Sequence, residues 1–171
     1  MNIPQVRVLV VEDDLRISEL HRRFVEKLPD FSVIGVANTI ADAKEMAEIL
    51  QPDLVLLDLF FPEGNGMDLL KTIRVGEQSC DVILITAARE MSSLQEALRG
   101  GVFDYIIKPV SLPRFQESLQ KFHDYFSRLH SSATLEQKDV DRLLHAQRVS
   151  ESESGAIPKG IDTLTLTKVR K

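Results

Sequence analysis

Five short apolar runs, separated by stretches with helical spacing, leave this chain few folds to choose from. The runs are Val6–Val11, Phe31–Val36, Leu54–Leu57, Val82–Ile85 and one that ends in Tyr105–Ile107, with Phe31–Val36 the weakest. Continuous Val, Ile and Leu runs of this length suit strands covered on both faces, as in parallel sheets. Between them, Ile17, Leu20, Phe24 and Leu28 repeat every three or four residues, and Thr39 with Asp42 marks a helix start before Ala43–Leu50. Met67–Ile73 and Met91–Leu98 give two more helices, the second stopped by Gly100-Gly101. Five alternations of strand and helix predict an α/β doubly wound sandwich, with the flavodoxin-like strand order 2-1-3-4-5 as the choice at this length.

A long helix is expected beyond Pro113. Its stripe of Leu112, Phe115, Leu119, Phe122, Phe126 and Leu129 has coiled-coil spacing. The first half should pack on the sheet. Phe126 and Leu129 fall past the expected sheet and need another partner, either a second copy of the chain, making a homodimer, or an appended helix. Leu135–Val149 reads as a further helix, and Ser150-Glu151-Ser152-Glu153-Ser154-Gly155 as a flexible linker. Ile157-Pro158-Lys159-Gly160-Ile161-Asp162 then opens something new, with a helix expected over Thr163–Val169. One helix cannot bury its own apolar face, so this end is expected to be a severed domain. The organisation expected is a body over 1–127, a helical linker over 128–150, and a flexible linker with the start of a second domain over 151–171.

Composition narrows the setting. Hydrophobic residues make up 43% of the 171, enough for a sizeable core, and the net charge is −5. Residues 156–171 carry Lys159, Lys168, Arg170 and Lys171 against Asp162, a net of +3, which leaves −8 on residues 1–155. An acidic body disfavours nonspecific nucleic-acid binding. The single cysteine, Cys80, cannot form an internal disulfide, which fits a reducing compartment. Met1-Asn2-Ile3-Pro4-Gln5 shows no secretory pattern, and the apolar runs are too short to span a bilayer. The expectation is a cytoplasmic protein with no membrane partner.

In a doubly wound sheet, ligands bind outside the carboxyl ends of the strands. The first strand ends in Glu12-Asp13-Asp14, the third in Asp58, the fourth in Thr86 and the fifth in Lys108. Clustered carboxylates repel and raise one another's pKa unless a cation joins them. Hard oxygen ligands with room for water suit Mg²⁺. With that ion present Asp58 can stay ionised and attack phosphorus, while Lys108 and the Thr86 hydroxyl hold phosphoryl oxygens. Asp14 reads as a helix N-cap rather than a ligand. Gly64-Asn65-Gly66 is loop chemistry with Gly66 in a tight turn, and no Gly-Lys-Ser/Thr follows to make a phosphate loop. His21, His123, His130 and His145 lie scattered along helices, are expected at the surface, and share no metal-ligand spacing.

Val10-Val11-Glu12-Asp13-Asp14, Pro52-Asp53-Leu54-Val55-Leu56-Leu57-Asp58, Thr86-Ala87 and Lys108-Pro109, taken in order and at strand ends, resemble the receiver domains of two-component response regulators. The resemblance covers roughly residues 5–127. It implies that Asp58 is the phosphoacceptor, Asp13 the direct Mg²⁺ ligand, Glu12 its acidic neighbour and the Phe60 carbonyl the backbone ligand. It implies further that Thr86 and Lys108 are the switch hydroxyl and phosphate-binding lysine, that Tyr105 is the switch aromatic, and that the Lys108–Pro109 bond is cis. Phe61 departs mildly, standing where the family usually has Met before Pro62. The long helix, the linker and Ile157–Asp162 with Leu164-Thr165-Leu166 are similar to the citrate- and C4-dicarboxylate-sensing response regulators. In that subfamily such a segment opens a helix-turn-helix DNA-binding domain. The implied partners are a sensor histidine kinase and, through the C-terminal domain, DNA; phosphorylation would draw Thr86 toward the phosphoryl group and Tyr105 inward.

Two other functions compete. A haloacid-dehalogenase-like phosphatase also uses a strand-end Asp, Mg²⁺, Thr and Lys, but needs a second Asp two residues on, where this chain has Phe60. A receiver that works by protein contact alone fits the body but not the segment from Leu135 onward. The reading favoured is a switch rather than an enzyme. Phe60 and Ala88, each two residues past Asp58 and Thr86, cannot orient an attacking water, so self-dephosphorylation should be slow.

Overall fold

A computed structural model of the chain describes residues 3–76, 79–131 and 134–144. Strands and helices alternate along it as β1 (Val6–Val11), α1 (Leu15–Glu26), β2 (Phe31–Ala37), α2 (Ile40–Leu50), β3 (Leu54–Leu57), a two-residue ladder of β4 (Phe60–Phe61) and β5 (Gly64–Asn65), α3 (Met67–Val75), β6 (Asp81–Thr86), α4 (Met91–Arg99), β7 (Asp104–Ile107) and α5 (Leu112–Leu129). The main sheet runs β2-β1-β3-β6-β7, all parallel, which is the order 2-1-3-4-5 once the small ladder is set aside. The small ladder, a hairpin between β3 and α3, carries no sequence signal beyond Gly64 and Gly66.

Alternation along each strand sends side chains to two cores. Leu9, Val11, Val55, Leu57, Val82 and Leu84 face α2, α3 and α4, where Ala43, Ala47, Leu70, Ile73 and Ala97 close over them. Val6, Val8, Val10, Leu56, Ile83 and Ile85 face α1 and α5, meeting Val25, Phe115, Leu119, Phe122 and Phe126. Phe122 is 1% exposed and meets Phe103 edge-on at 5.2 Å. Truncating it in a Phe122→Ala variant should cost about 3–5 kcal/mol in urea denaturation.

Two expectations about the helices need correction. On α1 the stripe is rotated: Leu20 is 44% exposed, while Ser18, His21 and Val25 turn inward. On α5 Phe126 needs no second copy, because it is 5% exposed within its own chain and stacks with Phe122 and His130; Leu129 does face solvent. Helix caps fall where polar residues precede apolar runs. Asp14 accepts from the Arg16 and Ile17 amides, Thr39 from Asp42 and Ser111 from Arg114. Residues 137–144 are helical. The rest of the expected second helix, the serine-rich linker, the expected helix over Thr163–Val169 and His145 lie outside the described residues. Among the described residues no helix is long and apolar enough to cross a membrane.

Candidate functional site

Parallel strands end together, so β1, β3, β6 and β7 deliver their last residues to one edge of the sheet. Glu12, just past β1, is 2% exposed and Asp58, just past β3, is 5% exposed. Backbone pairing continues beyond the strands to hold them, with the Glu12 amide on the Ala37 carbonyl and the Asp58 amide on the Val11 carbonyl. Lys108, past β7, is fixed by its own amide on the Thr86 carbonyl, and the Lys108–Pro109 bond is cis.

The side chains converge. Lys108 Nζ donates to Glu12 Oε1 at 2.6 Å and to Asp58 Oδ2 at 3.0 Å. Asp58 Oδ1 accepts from the Phe60 amide at 3.3 Å, and Glu12 Oε2 from the Asp14 amide at 3.2 Å. Glu12, Asp13 and Asp58 each offer a carboxylate oxygen, and those oxygens all lie within 4.8 Å of one another. Lys108 bonds to two of these three carboxylates, and the cluster keeps a local excess of negative charge. Burial, opposed by the Lys108 bond and reinforced by the Asp58 charge, pushes the Glu12 carboxyl up from 4.5 to about 7. Burial alone would lower Lys108, but its bonds to Glu12 and Asp58 outweigh that and hold it above the ordinary lysine value. An all-oxygen donor set with that charge excess fits a hard divalent cation.

Thr86 ends β6 fully buried, its hydroxyl accepting from the Ala88 amide at 3.2 Å. Tyr105 is 3% exposed and its hydroxyl donates to the Ala88 carbonyl at 2.9 Å, so the ring expected to move inward is already inside. The edge therefore gathers Glu12, Asp13, Asp58 and Lys108 directly, with Thr86 and Tyr105 meeting at Ala88. Phe60 is half exposed at the rim.

His21 is not at the surface. It is 3% exposed, tilted against Phe115 at 5.5 Å. Burial, with the Lys108 charge against the Asp58 charge, pushes its imidazole from 6.5 down to about 4. In that window the unfolded chain binds the proton and the native chain does not. The stability His21 contributes is therefore complete above pH 6.5 and drains as pH falls toward 4, by about 3 kcal/mol. Glu12 acts with opposite sign: between 4.5 and about 7 the native chain holds the extra proton, and stability drains as pH rises. In a His21→Gln variant the acid-side loss should shrink by roughly the His21 amount, read from urea denaturation across this pH range.

Two supporting residues, Asn38 and Glu63, escape a reading by sequence, and Gly66 has a reason beyond its tight turn. Gly66 does not need a positive φ; a Cβ there would lie 2.4 Å from the Asp58 carbonyl, so only glycine lets α3 start this close to the loop. Asn38 donates through Nδ2 to the Glu12 carbonyl at 2.7 Å, and Glu63 accepts from the Ile40 amide at 2.7 Å. The signals were faint: an Asn-Thr pair after a strand, and a Pro-Glu-Gly turn.

The profile of the response regulator receiver domain matches residues 8–120. The probable C4-dicarboxylate response regulator DctR of Halalkalibacterium halodurans is 35% identical, over 97% of this chain and 72% of that protein. The transcriptional regulatory protein DpiA of Escherichia coli is 38% identical, over 96% of this chain and 72% of its own length. Among solved structures, the REC domain of AraT, a response regulator from Geobacillus stearothermophilus, superposes with a TM-score of 0.67 at 29% identity, covering 74% of this chain and 98% of that one.

Proposed function

Since this chain belongs to the response regulator receiver family, a family of regulatory switches whose homologues here regulate transcription, we propose that Asp58 is its phosphoacceptor and that a sensor histidine kinase supplies the phosphoryl group. The observation that carries this reading is the Lys108 ammonium bonded at once to Glu12 and Asp58 in a hollow shared by three carboxylates. Glu12, Asp13, Asp58 and the Phe60 carbonyl are the groups that would hold Mg²⁺. That ion, when bound, neutralises charge on the donor's phosphoryl oxygens and so lets a carboxylate approach phosphorus.

The chain's own part is positioning. Asp58 has one oxygen held by the Phe60 amide and the other by Lys108, so its orientation is set before a donor arrives. As an Asp58 oxygen bonds to phosphorus and the donor's bond to phosphorus breaks, the donor leaving with that electron pair, Lys108 exchanges a carboxylate for a phosphoryl oxygen. The Thr86 hydroxyl, now bonded to the Ala88 amide, turns to another, and the chain around Ala88, which Tyr105 also holds, shifts with it. The phosphoryl group thereby biases a two-state element. The residues from 128 onward pass this bias to a C-terminal helix-turn-helix DNA-binding domain, in a cytoplasmic regulator of the citrate and C4-dicarboxylate class; homodimerisation or release of that domain is the outcome proposed for the phosphorylated state.

The test is incubation of the chain with radiolabelled acetyl phosphate. Label should enter with Mg²⁺ present and stay out with EDTA; uptake indifferent to the metal would overturn the reading. Lifetime supplies a further prediction. Phe60 and Ala88 have no group to position water, so the label should persist for minutes or longer after excess donor is removed. Loss within seconds, followed by filter binding, would contradict it.

A further inference from the structure

The acidic hollow has two arms. One is the corner Glu12–Asp13 after β1; the other is the loop after Asp58 that contains β4 and β5. Pairing of β1 with β3 and the Asp58 amide on the Val11 carbonyl hold the two arms together as far as Asp58; beyond it, the Glu12 corner and the β4–β5 loop are both tied to one short junction between β2 and α2. The Glu12 amide bonds to the Ala37 carbonyl at 3.0 Å, and the Asn38 side chain donates back to the Glu12 carbonyl at 2.7 Å while touching Ser18 Oγ at 3.4 Å. Two residues further on, the Ile40 amide donates to the carboxylate of Glu63, which sits at the turn of the β4–β5 hairpin.

Ordinary helix capping does not require that last contact. Thr39 already serves as the N-cap of α2 and takes the Asp42 amide; the Ile40 amide, on a residue only 8% exposed, finds its acceptor outside its own helix and cap. A carboxylate brought from 23 residues away is a bridge between two parts of the fold. It also lies where the helix dipole favours negative charge, which strengthens the tie.

We propose that residues 37–40 form a bracket that sets the spacing between the two arms of the Asp58 site, and that Asn38 and Glu63 are positioning residues for it. The proposal rests on the reading that this site takes Mg²⁺. Mg²⁺ demands near-ideal octahedral geometry and gives up affinity readily when its ligands are displaced. The loop held by Glu63 carries the Phe60 backbone and is kept against the site by the Gly66 amide on the Leu59 carbonyl at 2.7 Å. Releasing its outer end at Glu63 frees the hairpin to swing on that inner contact; removing the Asn38 amide frees the Glu12 corner instead.

The experiment is a Mg²⁺ titration of the full chain by isothermal calorimetry, for wild type, Asn38→Ala, Glu63→Ala and Glu63→Gln, with amide hydrogen exchange at Phe60 and Gly66 measured in EDTA. Asn38→Ala and Glu63→Ala should each weaken Mg²⁺ binding roughly fivefold to tenfold, the effect of one lost hydrogen bond. Glu63→Gln keeps an acceptor and should recover most of the affinity. Exchange at Phe60 and Gly66 should quicken in Glu63→Ala before any metal is added. If the Ala variants melt earlier but bind Mg²⁺ as wild type does, with unchanged exchange, Glu63 and Asn38 only stabilise the fold and the bracket is wrong. If wild type itself takes up no Mg²⁺, the reading of the site fails first and the bracket with it.

Discussion

An Asp58→Ala variant should take no label from acetyl phosphate while remaining folded. Glu12 cannot substitute as nucleophile, because burial raises its carboxyl to about 7 and a protonated carboxyl does not attack phosphorus. Asp58 is the carboxylate whose orientation is fixed from two sides, by the Phe60 amide and Lys108. The same variant makes a second prediction of opposite sign. Without Mg²⁺, three carboxylates crowd one ammonium, so removing one relieves repulsion and leaves Lys108 paired with Glu12. Urea denaturation in EDTA should therefore show stability equal to wild type or higher. Loss of labelling together with a collapse in stability would instead mean that Asp58 is a structural residue.

Lys108→Ala should do the reverse. It leaves Glu12 and Asp58, 2% and 5% exposed, facing each other with no cation between them. Breaking a buried ion pair from one side costs on the order of 3 kcal/mol. The penalty has a pH signature. With the ammonium gone Glu12 moves further above its ordinary range, the native chain holds that proton over a wider window, and the variant loses stability as pH rises through and beyond 7. Mg²⁺ should return part of the loss, because a divalent cation can take over the neutralisation, and the difference between wild type and variant should narrow as Mg²⁺ is added. A phosphorylation-dependent change in molecular size, read by size-exclusion chromatography, should disappear even where label still enters. A variant as stable as wild type in EDTA at all pH values would refute this account of the hollow.

Much of the fold was written in plain periodicity. Runs such as Val6–Val11 and Leu54–Leu57 are buried on both faces, so they are apolar throughout and announce a parallel sheet; the order of the strands then follows from chain length and handed crossovers. The gathering of Glu12, Asp13, Asp58 and Lys108 was legible for the same reason, since strand ends share an edge. What escaped depends on facts that no spacing encodes. His21 and Leu20 stand one residue apart on α1, and which of them faces inward is set by how Phe115 of α5 packs against the helix. Phe126 lies past the sheet but is covered by its own chain through the ring stack of α5, which the heptad-like stripe could not distinguish from a dimer seam. Tyr105 is inward because the Ala88 carbonyl is within reach of its hydroxyl, a matter of loop path. Asn38 and Glu63 act through backbone groups of residues 26 and 23 positions away, and such ties leave no pattern in a single sequence.

The most direct measurement is chemical mapping of the phosphorylated residue. The chain is phosphorylated with acetyl phosphate and Mg²⁺, reduced with borohydride, which converts an acyl phosphate on aspartate to homoserine, then digested and sequenced by mass spectrometry. Homoserine at position 58, absent when Mg²⁺ is withheld, is the result predicted. Homoserine at position 13 or 14 with position 58 intact, or no reducible residue in a chain that carries label, would contradict it.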